Sequence, residues 1–187
     1  MRGVPNFEPD VSLWEPWTPA EVAVAIRAAA VAWAVAGGWA IDLYLQETTR
    51  EHEDIEIVVA RDDFAAVTRA IDLEWCTVGE GRAWALDDSP AALHQTWGRD
   101  KTTRHWRLDV FREDWEAGDW IVRRDRRIRR ALPAAVEHDP TGIPYLVPEI
   151  VLLYKHGNRA NRMRPTSSSQ PAISLASRHS GSTMRSG

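Results

Sequence analysis

The segment from Ala32 to Ala60, AWAVAGGWAIDLYLQETTREHEDIEIVVA, constrains the fold more than any other part of the chain. A short apolar run stops at Gly37-Gly38 and resumes with a different period, the pattern of a buried strand turning sharply into a second helix, WAIDLYLQ. The closing DIEIVVA alternates with period two and is rich in Ile and Val, so a strand is predicted there. A strand, a glycine turn, a helix and a strand within one short stretch leave room only for a compact sheet domain.

The flanking sequence extends the pattern. Thr18-Pro19-Ala20-Glu21 is a helix start, with Thr18 as cap, Pro19 in the first helical position and Glu21 completing a capping box; the helix is predicted over about residues 19–31. RDDFAAVTRAID reads as a helix, RAWALDD, RHWRLDVFRED and DWIVRRD as strands, and VPEIVLLYKH as a helix with Pro148 in its first turn. There is no internal repeat. The alternation predicts an α+β domain, a short mixed β-sheet flanked by helices, with the helices on one side and a cleft at the open face.

A chain of 187 residues can bury one real core, and two large domains are not expected. Residues 1–17 read as an N-terminal extension, 18–158 as the domain and 159–187 as a tail. Beyond Glu149 no acidic residue occurs, while Lys155, Arg159, Arg162, Arg164, Arg178 and Arg185 accumulate. Eight of the last twenty-two residues are serine, without apolar periodicity, so this tail is expected to be disordered.

A net charge of −4 argues against general binding to nucleic acid or anionic membranes, though a specific nucleotide pocket is compatible with it. The window Val22–Ile41 is the most membrane-like, but Arg27 near its middle and the glycine pair make it a buried helix and strand. One cysteine, Cys76, permits no intrachain disulfide, and the first ten residues carry no apolar signal run; a reducing, cytoplasmic setting is expected.

In a strand over 54–60, Asp54 and Glu56 point the same way and can hold one or two divalent cations, and oxygen-only ligands favour Mg²⁺ or Mn²⁺. Asp109 is a third candidate: it lies opposite in phase to Trp106, Leu108 and Val110, and with those packed inward it reaches the other face. Gly37-Gly38 would let the backbone approach a phosphate at a helix start, where free N–H groups and the dipole favour an anion. Three carboxylates and an anion cradle suit phosphoryl or nucleotidyl transfer. Taken singly, each feature has a plainer reading: a solvated strand face, a tight turn, a polar helix stripe at Asp42, a polar loop at Arg50 and His52.

Taken in order, Gly37-Gly38-Trp39-Ala40-Ile41-Asp42 and Thr49-Arg50-x-His52-x-Asp54-Ile55-Glu56 resemble the signature of the DNA polymerase β-like nucleotidyltransferase superfamily. The likeness is closest to the small antibiotic nucleotidyltransferases that adenylylate aminoglycosides or lincosamides, in particular the aminoglycoside 2''-adenylyltransferase type, and covers roughly residues 19–156. LDVF and IPYLVPEIVLLYK support it more weakly. The resemblance implies phosphate contacts at Gly37 and Gly38, metal ligation by Asp54, Glu56 and Asp109, a pocket shaped by Asp42, Arg50 and His52, and Lys155 facing the nucleotide. It implies transfer of AMP from ATP, or of another nucleoside monophosphate, to a hydroxyl of a small molecule, with Mg²⁺ or Mn²⁺ as cofactor.

Two departures stand out. Glu56 occupies a position where many members carry Asp, and the basic serine-rich tail replaces further helical sequence rich in Lys and Asp. A truncated or frame-shifted C-terminus is therefore expected, which opens the alternative of a catalytically silent relative that binds nucleotide or a partner without turnover. Modification of a partner protein is a third option.

HEDIE with His105 invites a His/carboxylate hydrolase reading, but the histidine spacing matches no zinc motif. RRDRRIRR, residues 123–130, reads as a solvated face or a triphosphate-side cation patch rather than a nucleic-acid surface. The ten tryptophans suggest core packing and sheet edges.

Overall fold

Thr18 starts the first helix as its sequence predicts. Its hydroxyl accepts the Glu21 N–H at 3.3 Å, and the Glu21 carboxylate accepts the Thr18 N–H at 2.7 Å, a complete capping box. In this computed structural model, which describes residues 6–123 and 125–162, helix α1 spans Pro19–Ile26 and tightens into a 3-10 turn over Arg27–Ala29. The predicted continuation to 31 is cut short. Val22 and Ile26 anchor the buried face, only alanines follow on it, and Ala30 adopts the left-handed conformation (φ 51°) that turns the chain toward the next strand.

The remaining elements follow in chain order. The strands are β1 (Asn6–Phe7), β2 (Trp33–Val35), β3 (Glu56–Ala60), β4 (Glu74–Gly79), β5 (Arg82–Ala85), β6 (Gln95–Arg99), β7 (Trp106–Glu113), β8 (Trp115–Glu116), β9 (Asp119–Ile121), β10 (Arg129–Ala131), β11 (Val136–His138) and β12 (Pro144–Leu146). The helices after α1 are α2 (Gly37–Leu45), α3 (Phe64–Ala70), α4 (Leu132–Ala135) and α5 (Pro148–Arg162). Among the described residues no helix is long and apolar enough to cross a membrane.

Nine strands form one mixed sheet in the order β1-β5-β4-β6-β7-β3-β2-β12-β11, and β10-β9-β8 form a small second sheet. The pairs β3–β7 and β2–β12 are parallel, and the others are antiparallel. The mixed α+β architecture is the expected one. Helices nevertheless cover both faces, against the expectation of a one-sided layer. Ile57 and Val59 of β3 pack with Leu108 and Val110 of β7 against α1 and α3, while Val58 joins Trp120, Ile150 and Val151 of the opposite cluster. Three consecutive residues of β3 are buried to 1% exposure or less, and a strand apolar on both faces must be covered on both.

Several strands were not legible beforehand. β4, EWCTVG, divides its apolar residues between two clusters, Trp75 in one and Cys76 with Val78 in the other, which erases the alternation of a half-exposed strand. Residues 6–17 lie along the sheet, with Asn6–Phe7 pairing β5 and the Glu15 and Trp17 N–H groups donating to the Trp106 and Arg107 carbonyls. α5 runs to Arg162, so the first residues of the expected tail are helical. The remainder of that tail, 163–187, lies outside the described residues.

Candidate active site

The glycine pair opens α2 rather than preceding it. Gly37 has φ +61°, and a Cβ there would lie 1.8 Å from Glu56 Oε2. At Gly38 a Cβ would lie 2.6 Å from the His52 ring and 2.8 Å from an Arg50 terminal nitrogen. A side chain at Gly37 would face a strained left-handed backbone and push the Glu56 carboxylate aside, and one at Gly38 would push against the buried His52 ring and the Arg50 guanidinium. Glu56, Arg50 and His52 converge on the first turn of α2, where free N–H groups and the helix dipole create a positive potential.

The acidic residues come from two strands. Glu56, the first residue of β3, is the register partner of Asp109 in the parallel ladder to β7, so the two side chains share a face. Asp54 precedes β3 instead of lying within it, and the Asp109 N–H extends the ladder by donating to the Ile55 carbonyl at 2.9 Å. Part of the phase argument for Asp109 needs correction. Leu108 and Val110 do face the opposite side, but a register shift at Gly98/Arg99 places Trp106 opposite Arg99, and Trp106 packs with Cys76 and Trp97.

Electrostatics link the three carboxyls. Burial pushes Glu56 up to about 7, with Asp54 adding to the rise and Lys155 and Arg50 opposing it. Burial also raises Asp109 well above the carboxylate range, reinforced by Glu56 and Asp54 against the opposing donors Gln95 and Trp97. Asp54 is raised by burial, against the pull of Arg50 and His52. Three carboxyls whose proton affinity is raised, chiefly by burial, form a site that favours added positive charge. Asp109 Oδ1 is buried without a hydrogen-bond partner, and the donor chemistry fits a hard divalent cation. As they stand, however, no group of three or more His, Cys, Asp or Glu side chains among the described residues is arranged to hold a metal ion. The Glu56 carboxylate lies against Gly37 at the start of α2.

Asp42, Thr49 and His52 make a separate buried clamp. Asp42, 5% exposed, accepts from the Thr49 hydroxyl at 2.6 Å through one oxygen and meets His52 Nε2 at 2.6 Å through the other. Burial opposes ionisation of Asp42, but these hydrogen bonds outweigh it and hold its pKa below the usual range. Trp39 stacks on the His52 ring at 4.5 Å between centroids. Asp42 thus faces His52 and Thr49, and the clamp ties the loop after α2 back to the helix. Lys155 is exposed on α5 yet acts electrostatically on Glu56. A residue outside the sequence expectations also enters: Gln95 of β6 donates to Asp109 Oδ2 at 2.6 Å. No motif marks this glutamine, because its relation to Asp109 exists only through the β6–β7 pairing.

Other sequence features lie elsewhere. His105 pairs with Glu15 at 2.6 Å on the surface, apart from the buried His52–Asp42 contact, so the two histidines share no site. In the arginine run, Arg126 pairs with Asp114 and Glu116, Arg127 with Asp125, and Arg129 with Glu116. Arg123 approaches Glu113 at 3.5 Å. These charges are answered by the chain's own carboxylates.

The fold is that of a nucleotidyltransferase. The chain superposes on the crystal structure of ANT(2'')-Ia in complex with adenylyl-2''-tobramycin with a TM-score of 0.52 and 17% identity, covering 82% of each chain. Within that class, residues 20–82 match the model of the family described as aminoglycoside-2''-adenylyltransferase, in agreement with the resemblance read from the 37–56 motif. Two further solved structures are similar to the chain. One is a solution structure of the antibiotic-resistance factor ANT(2'')-Ia, at TM-score 0.49 and 15% identity over 85% of this chain and 76% of that one. The other is a nucleotidyltransferase from Thermotoga maritima, at TM-score 0.47 and 13% identity over 79% and 91%. No curated protein matches the sequence.

Proposed function

We propose that the chain is a metal-dependent nucleotidyltransferase that transfers a nucleoside monophosphate, AMP from ATP, to a hydroxyl of a small molecule of the aminoglycoside or lincosamide type. The observation that carries this reading is the register pairing of Glu56 with Asp109 on one face, next to the glycine start of α2. The first turn of α2 at Gly37 and Gly38, with Arg50 beside it, binds and orients the triphosphate. His52, held by Asp42, shapes the wall of that pocket, and Lys155 contributes charge from α5.

Asp54, Glu56 and Asp109 would hold one or two divalent cations, Mg²⁺ or Mn²⁺, which when bound polarise the transferred phosphoryl group and neutralise the departing pyrophosphate. Asp109, whose burial favours its protonated form, would give up that proton to the cations' charge and then, as the carboxylate, help deprotonate the acceptor hydroxyl. The test is calorimetric titration of ATP with Mn²⁺ into the native chain and into Asp54→Ala. Metal-dependent binding in the first and its loss in the second are expected, and equal affinity in both refutes the assignment.

A second reading is a relative that binds nucleotide or a partner without turnover. It is favoured by the Glu56 carboxylate lying against Gly37, where it takes up the approach to the first turn of α2. Nucleotide binding with no pyrophosphate release across a panel of aminoglycoside, lincosamide and protein acceptors would establish it.

A further inference from the structure

Asp109 owes its orientation to a neighbouring strand. It is 2% exposed and sits opposite Trp97 in the β6–β7 ladder, two residues from Gln95. The Gln95 amide donates to Oδ2 at 2.6 Å, whereas Oδ1 is buried and meets no donor in hydrogen-bond geometry; the Trp97 indole across the ladder is the other donor that acts on this carboxyl. A carboxylate turns through a broad, roughly two-fold torsion, so a donor on one oxygen decides which way both face. Folded proteins leave few buried polar atoms without a partner, and each one calls for an explanation.

We propose that Gln95 is a positioning residue for the proposed cation site: its amide occupies Oδ2 and thereby reserves the Oδ1 lone pairs of Asp109 for the ion. The inference rests on the nucleotidyltransferase reading above. The competing account is that Gln95 merely satisfies a buried carboxylate, with no consequence for what Oδ1 binds. The two differ in metal affinity. Outer-shell partners that fix a ligating group are worth roughly 10–100-fold in metal binding.

The probe is Mn²⁺ alone, titrated into the full chain and followed by the electron paramagnetic resonance signal of the free ion, beside a thermal melt of each variant. Gln95→Met removes the donor at similar volume and is expected to weaken Mn²⁺ binding by about 10–100-fold. Thr96→Val is the control for disturbance of β6, because Thr96 lies on the opposite face and its buried hydroxyl has no partner. It should leave Mn²⁺ affinity within about twofold of the native value, as expected for a site that does not touch the ligands.

Native affinity retained in Gln95→Met overturns the proposal. Should that variant not fold, Gln95→Asn decides: its amide is one methylene too short to reach Oδ2, so weakened binding supports the role and unchanged binding overturns it. Equal losses in Thr96→Val and Gln95→Met would also overturn it, by showing a general disturbance of the strand. Mn²⁺ bound by the native chain, lost in Asp54→Ala and kept in Gln95→Met, removes only the role of Gln95. No Mn²⁺ binding by the native chain removes the metal-dependent reading together with it.

Discussion

Glu56 and Asp109 stand side by side on neighbouring parallel strands, two carboxyls in register on one face of a sheet, with Glu56 adding to the rise in proton affinity that burial gives Asp109. Their proximity is built into the ladder rather than into flexible loops. A site held this way keeps its carboxyls together whether or not a ligand is present, and burial with repulsion added raises their proton affinity when nothing offsets it.

Burial of these carboxyls, with repulsion adding to it, gives a pH dependence of opposite sign to ordinary acid denaturation. Glu56 moves from 4.5 in the unfolded chain to about 7 in the folded one, so the folded state binds more protons between those values. Its contribution to stability is full below about pH 4.5 and lost as pH rises through about 7. Asp54 and Asp109 shift in the same direction, whereas Asp42 is lowered and titrates below this window. Melting temperature without divalent ions should fall between pH 5 and pH 8, and Mn²⁺ added at pH 8 should recover it. A melting temperature that rises over that range would contradict the assignment.

Gly37→Ala should destabilise the fold. A left-handed alanine costs about 1–2 kcal/mol, and its Cβ would displace the Glu56 carboxylate as well. In a chain of this size that is a fall of roughly 2–8 °C in melting temperature. Differential scanning calorimetry checks it, and nucleotide titration of the same sample should show weakened binding.

Asp42→Ala leaves both Thr49 and His52 without their acceptor. Truncating one member of a buried, charge-assisted cluster costs about 2–4 kcal/mol, a loss measurable by urea unfolding. The paired variant Asp42→Ala with His52→Ala should cost clearly less than the sum of the single variants, since one contact is counted twice. Additive losses would show that the two residues act independently.

Replacing Arg126, Arg127 and Arg129 together by glutamine should change little. Their ion pairs with Asp114, Glu116 and Asp125 lie at the surface, where each contributes about 0–1 kcal/mol. ATP affinity in the presence of Mn²⁺ should stay within about threefold, in keeping with charges already answered locally. A larger fall would place this patch on the triphosphate.

What was readable in the linear chain was local. The capping box at Thr18 and Glu21 works within one turn of helix, and the glycine pair followed by the 54–60 alternation specifies a turn, a helix and a strand through conformational preference and period alone. The ordered motif was enough to suggest the nucleotidyltransferase fold, because its residue order mirrors a strand–helix–strand unit that brings both ends of the motif together. Tertiary structure decided everything that depends on pairing between distant strands. The bulge at Gly98/Arg99 turned Trp106 to the unexpected face, the placement of the Glu56 carboxylate against Gly37 followed from the close approach of β3 to α2, and Gln95 gained a relation to Asp109 only when β6 was laid beside β7. Side-chain period runs along one strand, whereas register is set between strands, and no single segment encodes its neighbour's register.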